Sequence, residues 1–303
     1  MPAIHSLLTV HAHPDDETIA TGGVMARYAR AGHRVVCVTC TGGEHGEIVV
    51  PELDTPENHA RLREIRDGEL ARALERLGPI ESRRLGYVDS GMMGTPQNEE
   101  AGSFWTADLD EATGRLVRIV RETRPQVIVG YNGFGGYGHP DHIRAAQVAE
   151  LAFERAGDPA WYPEQLADGL APWQPLKRYE TVMEMSRREE IGRLLEGRGV
   201  RSWLTPPPDE PDEARIAREA HIAKMIAATG PVTTRVNVHD VIDAKLAALR
   251  EHVTQLPADG WFLALTADEW RQWMPEEAFT LRASDVPTRI PEDDLFAGLP
   301  PAG

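Results

Sequence analysis

The sequence predicts an α/β protein, an open and mostly parallel sheet flanked by helices, of Rossmann-like type with a C-terminal α/β elaboration. Three observations predict it. Short β-branched apolar runs alternate with amphipathic stretches of helical period through the first half, the pattern of stacked βαβ units. The connections between them are short, with Gly32 ending the first helix. Of the 303 residues, 41% are hydrophobic and 26% charged, so a sizeable core can form without disulfides.

Residues 4–10 read as the first strand, 18–31 as a helix and 34–39 as the second strand. A charged amphipathic helix is expected over 57–77, a third strand over 84–88, a helix over 107–122 and a fourth strand over 127–131. The loop 132–141 then leads to a helix over 142–156. Composition shifts to Pro, Gly, Asp and Trp over 157–173, which marks an excursion from the core. Beyond it the pattern predicts a strand over 176–183, helices over 187–195 and 213–228, a strand over 233–238 and a helix over 241–255. Residues 203–211 read as a proline-rich connector and the last dozen residues as a tail.

A formal net charge of −16 repels phosphate backbones and anionic lipid surfaces, so nucleic acid and membranes are poor partners. Apolar runs fall short of the ~20 residues that span a bilayer, and the N-terminus lacks a secretory pattern, so a cytoplasmic location is expected. Cys37 and Cys40 sit three apart on a predicted strand, where their side chains point to opposite faces; they are expected to be structural thiols rather than a redox pair.

The first strand ends in His11-Ala12-His13-Pro14-Asp15-Asp16-Glu17, at the carboxyl edge where ligands bind in open α/β folds. A helix beginning near Asp16 or Glu17 puts His13 and Asp16 on one side of the turn, able to share a metal ion, with Asp15 left over. The fourth strand leads into Gly135-Gly136-Tyr137-Gly138-His139-Pro140-Asp141-His142. Strands one and four are often neighbours at the switch point of such a sheet, so His142 can supply a third ligand, and two imidazoles with one carboxylate and an open position form a hydrolytic zinc site. His11 is an alternative to His13 as ligand. Each His-Pro-Asp can also be read as a helix N-cap, although two such clusters are harder to explain that way. The loop Thr41-Gly42-Gly43-Glu44-His45-Gly46-Glu47 leaves strand two on the same edge; Glu44 and Glu47 either bind substrate hydroxyls or belong to a glycine-rich turn.

The pairing of His13-Pro14-Asp15-Asp16-Glu17 with Gly138-His139-Pro140-Asp141-His142, roughly 120 residues later, resembles the LmbE/PIG-L family of zinc-dependent N-deacetylases. Within it, Thr39-Cys40-Thr41-Gly42-Gly43-Glu44, Asp89-Ser90-Gly91, Gly135-Gly136-Tyr137 and Pro291-Glu292-Asp293-Asp294-Leu295-Phe296-Ala297-Gly298 look most like the mycothiol S-conjugate amidases. Gly138 departs from that branch, which typically has proline there, and agrees with the deacetylases of N-acetylglucosaminyl-inositol. Asn132-Gly133-Phe134 stands where Asp-x-Asn usually follows the strand.

The resemblance implies one family domain over 1–303, with a catalytic core in 1–156 and residues 157–303 closing a substrate cleft. It implies Zn2+, with Fe2+ also acceptable, held by His13, Asp16 and His142. Asp15 is then the general base, passing the water proton to the leaving amine. His139 donates to the oxyanion or the leaving nitrogen, Asp141 orients its ring, and Tyr137 is either a second oxyanion donor or a packing aromatic. Arg66, Asp89 and His252 are implied as contacts to sugar or inositol hydroxyls, beside Glu47. The expected reaction is hydrolysis of the amide on the glucosamine nitrogen of a mycothiol S-conjugate, a small amino-sugar/inositol thiol conjugate. The alternative is deacetylation of N-acetylglucosaminyl-inositol or another N-acyl amino sugar; the rival of a different class is a non-catalytic metal-binding module.

Overall fold

The computed structural model describes residues 4–183, 188–200 and 210–300. The first half runs β1 (Ser6–His11), α1 (Asp16–Arg30), β2 (Arg34–Thr41), α2 (Pro56–Ala60), α3 (Leu62–Leu77), β3 (Ile80–Tyr87), α4 (Leu109–Thr123), β4 (Val127–Gly130), α5 (Gly135–Gly138) and α6 (Pro140–Arg155). After α7 (Pro163–Ala167) come β5 (Lys177–Val182), α8 (Arg188–Glu196), α9 (Asp212–Ala228), β6 (Thr234–Asn237), α10 (Ile242–Leu249), α11 (Ala267–Trp273) and β7 (Glu276–Ser284). The strands form one sheet of order β3-β2-β1-β4-β5-β7-β6. It is parallel from β3 to β5, and β7 runs antiparallel between β5 and β6. The expected α/β class holds.

Burial explains the parallel part. The side chains of β1, β2 and β4 are nearly all buried, because helices cover both faces. Leu7, Val35, Cys37, Val127 and Val129 join the core on one face, and Leu8, Val36, Val38, Cys40 and Ile128 the core on the other. Cys37 and Cys40 are therefore buried free thiols on opposite faces, as the alternation of a strand predicts. The chain moves outward from β1 to β3 and returns to β4 on the other side of β1, so the loops leaving β1 and β4 flank one crevice at the switch point.

Several boundaries differ from expectation. β3 begins four residues before the predicted 84, because its pairing with β2 starts at Val35↔Ile80. The helix expected over 57–77 is interrupted at Arg61 (φ −118, ψ 13), with Thr55 capping the first piece. The helix expected to start at 142 starts at Pro140, capped by His139. That expected over 241–255 has α-helical structure only from Ile242 to Leu249, so residues 250–255 turn inward. β7 had no counterpart in the sequence reading. The expected tail is packed: Leu295 and Phe296 are buried, and Glu292 accepts hydrogen bonds from Lys177 Nζ and Tyr179 OH, both at 2.6 Å. A lysine sealed inside a sheet needs an anion, and this one comes from distant sequence. Position 187 and positions 203–209 of the connector lie outside the described residues. No helix of the described residues is long and apolar enough to cross a membrane.

Candidate active site

The loops after β1, β2, β3 and β4 converge on a cavity of about 2070 Å³, whose far wall comes from the second half of the chain, including Ile222, Met225, Trp261 and Trp273. At its floor three donor atoms form a small triangle. Asp16 Oδ2 lies 3.4 Å from His13 Nδ1 and 3.3 Å from His142 Nε2, and the two imidazole nitrogens are 3.3 Å apart. A tetrahedral ion with bonds of ~2.0–2.1 Å holds its ligand atoms roughly 3.3–3.4 Å apart, so the triangle matches a zinc-sized ion. The charge pattern agrees. Burial alone would lower the His13 imidazole, but hydrogen bonds to Asp141, Asp16 and Asp89 raise it well above its ordinary value. Burial alone would raise Asp16, but His142 and His13 hold it well below the carboxylate range. Crowded acids around two histidines form a site that a cation could occupy.

Donor atoms within 4.8 Å of one another are offered both by His13, His139 and His142 and by His13, Asp89, His139 and Asp141, so the cluster can hold a metal ion. Asp141 already has other partners. Fully buried, it accepts from the Ser90 backbone N–H at 2.9 Å and from the Ser90 hydroxyl, and pairs with His13 Nε2 at 3.1 Å. That contact requires a proton on Nε2 and leaves Nδ1 facing the triangle. The resemblance implied that Asp141 orients His139; the structure places it against His13 instead. His139 caps α6, its Nδ1 accepting the Asp141 N–H at 3.1 Å, so a neutral ring carries its proton on Nε2. Burial, with His13 and His142 nearby, lowers this imidazole to about 3.

Asp15 lines the cavity, and burial pushes its carboxyl up to about 6, opposed by the Arg66 guanidinium. It is the N-cap residue of α1 at φ 122, ψ −36, yet its carboxylate makes no capping bond among the described residues. Tyr137 also lines the cavity, its ring 4.8 Å from that of His142, and burial keeps its hydroxyl protonated. Asp89 lies at the wall, accepting from the backbone N–H groups of Gly91 at 2.8 Å and His45 at 3.2 Å. Glu47 is exposed at the rim.

Other expected residues sit in or behind the wall of the site. His11 is buried against Thr21 Oγ1 at 3.0 Å, and burial lowers it to about 4; it stands outside the triangle. Glu44 joins loops, accepting from Arg63 at 2.7 Å and from the Asp89 N–H at 3.0 Å. Arg66, expected at the sugar, lines the cavity and donates to Pro14 O at 2.6 Å, Gly43 O at 2.9 Å and Asp15 Oδ2 at 3.3 Å. Gly43 makes this approach possible, since a Cβ there would lie 2.1 Å from Arg66 Nη1. His252, also expected at the substrate, is fully buried against Glu17, and the cavity wall formed by the described residues does not include it. Ser90 and Glu17 went unassigned in the sequence reading. Their signal was position, inside Asp89-Ser90-Gly91 and the acidic run after β1, but both act through buried bonds that a linear pattern does not display.

A family model described as "GlcNAc-PI de-N-acetylase" (PIG-L) matches residues 8–153. The chain is 44% identical to the 1D-myo-inositol 2-acetamido-2-deoxy-alpha-D-glucopyranoside deacetylase of Nocardiopsis dassonvillei, over 96% of this chain and 100% of that one. It is 43% identical to the deacetylase of the same name from Streptomyces avermitilis, over 97% of each. These names agree with the alternative reaction of the sequence reading rather than with the conjugate amidase. Among solved structures, the N,N'-diacetylchitobiose deacetylase of Pyrococcus horikoshii matches at TM-score 0.62 and 20% identity, covering 92% of this chain and 84% of that one. A 4-carboxy-2-hydroxymuconate hydratase from Pseudomonas putida matches at TM-score 0.60 and 18% identity, covering 94% and 99%. A shared fold that serves both a deacetylase and a hydratase does not name a reaction. Likeness at over 40% identity along nearly the whole chain does name a family, and the chain belongs to the PIG-L (LmbE) family of amide-hydrolysing deacetylases.

Proposed function

We propose that the protein is a metal-dependent deacetylase acting on the glucosamine nitrogen of an N-acetylglucosaminyl-inositol, with His13, Asp16 and His142 as metal ligands. The observation that carries this reading is the triangle of donor atoms at 3.3–3.4 Å, with an unliganded carboxylate, Asp15, beside it. Two imidazoles and one carboxylate suit Zn2+ and also accept Fe2+. Bound there, the ion would act as a Lewis acid toward the amide carbonyl and a water molecule.

The chain's own groups supply the rest. Asp15, ionised, takes the proton of the attacking water and passes it to the leaving amine as the C–N bond breaks, releasing acetate and the free glucosamine nitrogen. His139 donates from Nε2 to the carbonyl oxygen as negative charge builds there, and the Tyr137 hydroxyl is a second donor from the same loop. Asp141 holds His13 in the tautomer a ligand needs. Asp89 and Glu47 accept hydrogen bonds from sugar or inositol hydroxyls.

The relatives' names support the deacetylase over the conjugate amidase, and so does Gly138. It takes φ +94 in the loop before His139, and the proline of the amidase branch, locked near φ −65°, does not fit that backbone. One observation favours a larger acyl group as a second reading. The cavity, about 2070 Å³ and lined also by Ile222, Met225, Trp261 and Trp273, is much larger than an acetyl group fills.

The test is a side-by-side turnover assay on N-acetylglucosaminyl-inositol, a mycothiol S-conjugate and N-acetylglucosamine, with the metal content of the protein measured. Turnover is expected to be fastest on the first and to vanish on chelation. Equal rates on the last would remove the inositol conjugate as substrate, and full activity without metal would remove the mechanism.

A further inference from the structure

Three residues other than glycine take positive φ among the described residues. Arg124 and Tyr162, at φ 52, ψ 55, occupy the ordinary left-handed basin. Asp15, at φ 122, ψ −36, does not, and a side chain persists in such a conformation only where its surroundings hold it there.

The restraints on Asp15 come from several sides. Its N–H donates to Glu17 Oε2 at 2.8 Å, and its C=O accepts from the N–H groups of Thr18 at 3.0 Å and Ile19 at 3.1 Å. The preceding carbonyl, Pro14 O, is held by Arg66. Glu17 is itself fully engaged. Its second oxygen accepts from Thr18 Oγ1 at 2.6 Å and from His252 Nε2 at 2.9 Å, and both members of the Glu17–His252 pair are sealed from solvent. His252 lies in the turn after α10, and that turn is fastened to α3. Thr254 donates from its N–H and its hydroxyl to Glu69, each at 2.8 Å, while Arg72 and Arg76 hold Glu251 at 3.0 and 2.8 Å.

We infer that Glu17 and His252 are positioning residues for Asp15: a buried pair, one member from each half of the chain, that holds the Asp15 backbone in its strained form and so aims its carboxylate into the cleft. A carboxylate buried with a histidine can serve simple structural stability. Here it ends on the N–H of the strained residue beside the cleft, and it leaves the three donor atoms of the triangle untouched.

The inference rests on Asp15 being the proton-transfer group of the proposed deacetylation, and the test separates the two. In metal-loaded Glu17→Gln, kcat is expected to fall on the order of 10²-fold, as for a displaced catalytic group, with KM and the chelator-competition constant for zinc unchanged. Placed on Asp15→Asn, the same change should cost less than about 2-fold, since residues acting through one group are non-additive. His252→Gln, which keeps an N–H donor near the Nε2 position, should retain activity that His252→Leu loses; this pair also serves if Glu17→Gln does not fold. A crystal structure of Glu17→Gln, or of His252→Leu, reads Asp15 directly, and φ should relax to negative values. A relaxed Asp15 in a protein with no deacetylase activity would leave the clamp standing and remove the proposed reaction. An unchanged φ, or a full additional loss in the Asp15→Asn background, would overturn the clamp.

Discussion

Just after β1 stands His13-Pro14-Asp15, and after β4 and the short α5 stands His139-Pro140-Asp141, the same three residues leading into a helix on one cleft but in different surroundings. In the first, the histidine contributes Nδ1 to the donor triangle and the aspartate, at φ 122, stands beside it with its carboxylate in reach of Arg66. In the second, the histidine caps the helix and the aspartate is buried beneath His13. The difference arises from where each helix begins. α6 starts at Pro140, so His139 is its N-cap and Asp141 falls within the first turn. α1 starts at Asp16, two residues past the proline, so Asp15 is the N-cap and Asp16 falls within the first turn, next to His142. The tripeptide marks the site; helix register assigns the roles.

The two aspartates offer the largest test of this contrast. Asp15→Asn is expected to lower kcat roughly 10²- to 10⁴-fold, the usual worth of general acid–base catalysis, with metal affinity unchanged. In the proposed mechanism Asp15 works ionised, so kcat/KM should fall as pH drops through its pKa. Burial pushes that value up to about 6, and a cation held by Asp16 lowers it, placing the acid limb at or below that value. An acid limb well above it, measured on the metal-loaded enzyme, would count against Asp15 as the base.

Next comes the histidine of the second turn. His139→Ala should cost on the order of 10²- to 10³-fold in kcat, as removal of an oxyanion donor does, whereas His13→Ala should empty the metal site; elemental analysis distinguishes them. Asp141→Asn should weaken metal binding about 10- to 100-fold through His13. If Asp15→Asn weakened metal binding more than Asp141→Asn, the two turns would have been read the wrong way round.

The smallest effects concern the scaffold. Gly138→Ala places a side chain at φ +94 with a Cβ 2.9 Å from the Phe134 ring, and should lower stability by about 1–3 kcal/mol, measured by denaturant unfolding. Cys37 and Cys40, whose thiols burial pushes up, should be inert to a thiol reagent until the protein unfolds.

Much of this was legible in the chain. The βαβ alternation and the opposed faces of Cys37 and Cys40 follow from side-chain period and local turns, and the neighbouring positions of β1 and β4 from the usual topology of such a sheet. The second half was less legible for a physical reason. β7 is antiparallel and patterned EEAFTLRAS, with two glutamates at its start and an arginine near its end, so no continuous apolar run announces it. Glu292 and Leu295 resemble a tail until Lys177 and Tyr179 are brought beside them.

The sequence by itself determined the α/β class, the two His-Pro-Asp turns and the family, because these rest on local period and on residues close together in the chain. Only the tertiary structure decided which partners those residues take. Asp141, implied as the orienter of His139, reaches His13 with its side chain; Arg66, implied at the sugar, lines the cavity and holds Pro14 and Asp15, while His252 lies behind them against Glu17. These roles are set by hydrogen bonds between groups 51, 128 and 235 positions apart, and a buried polar group takes whichever partner the fold places within reach.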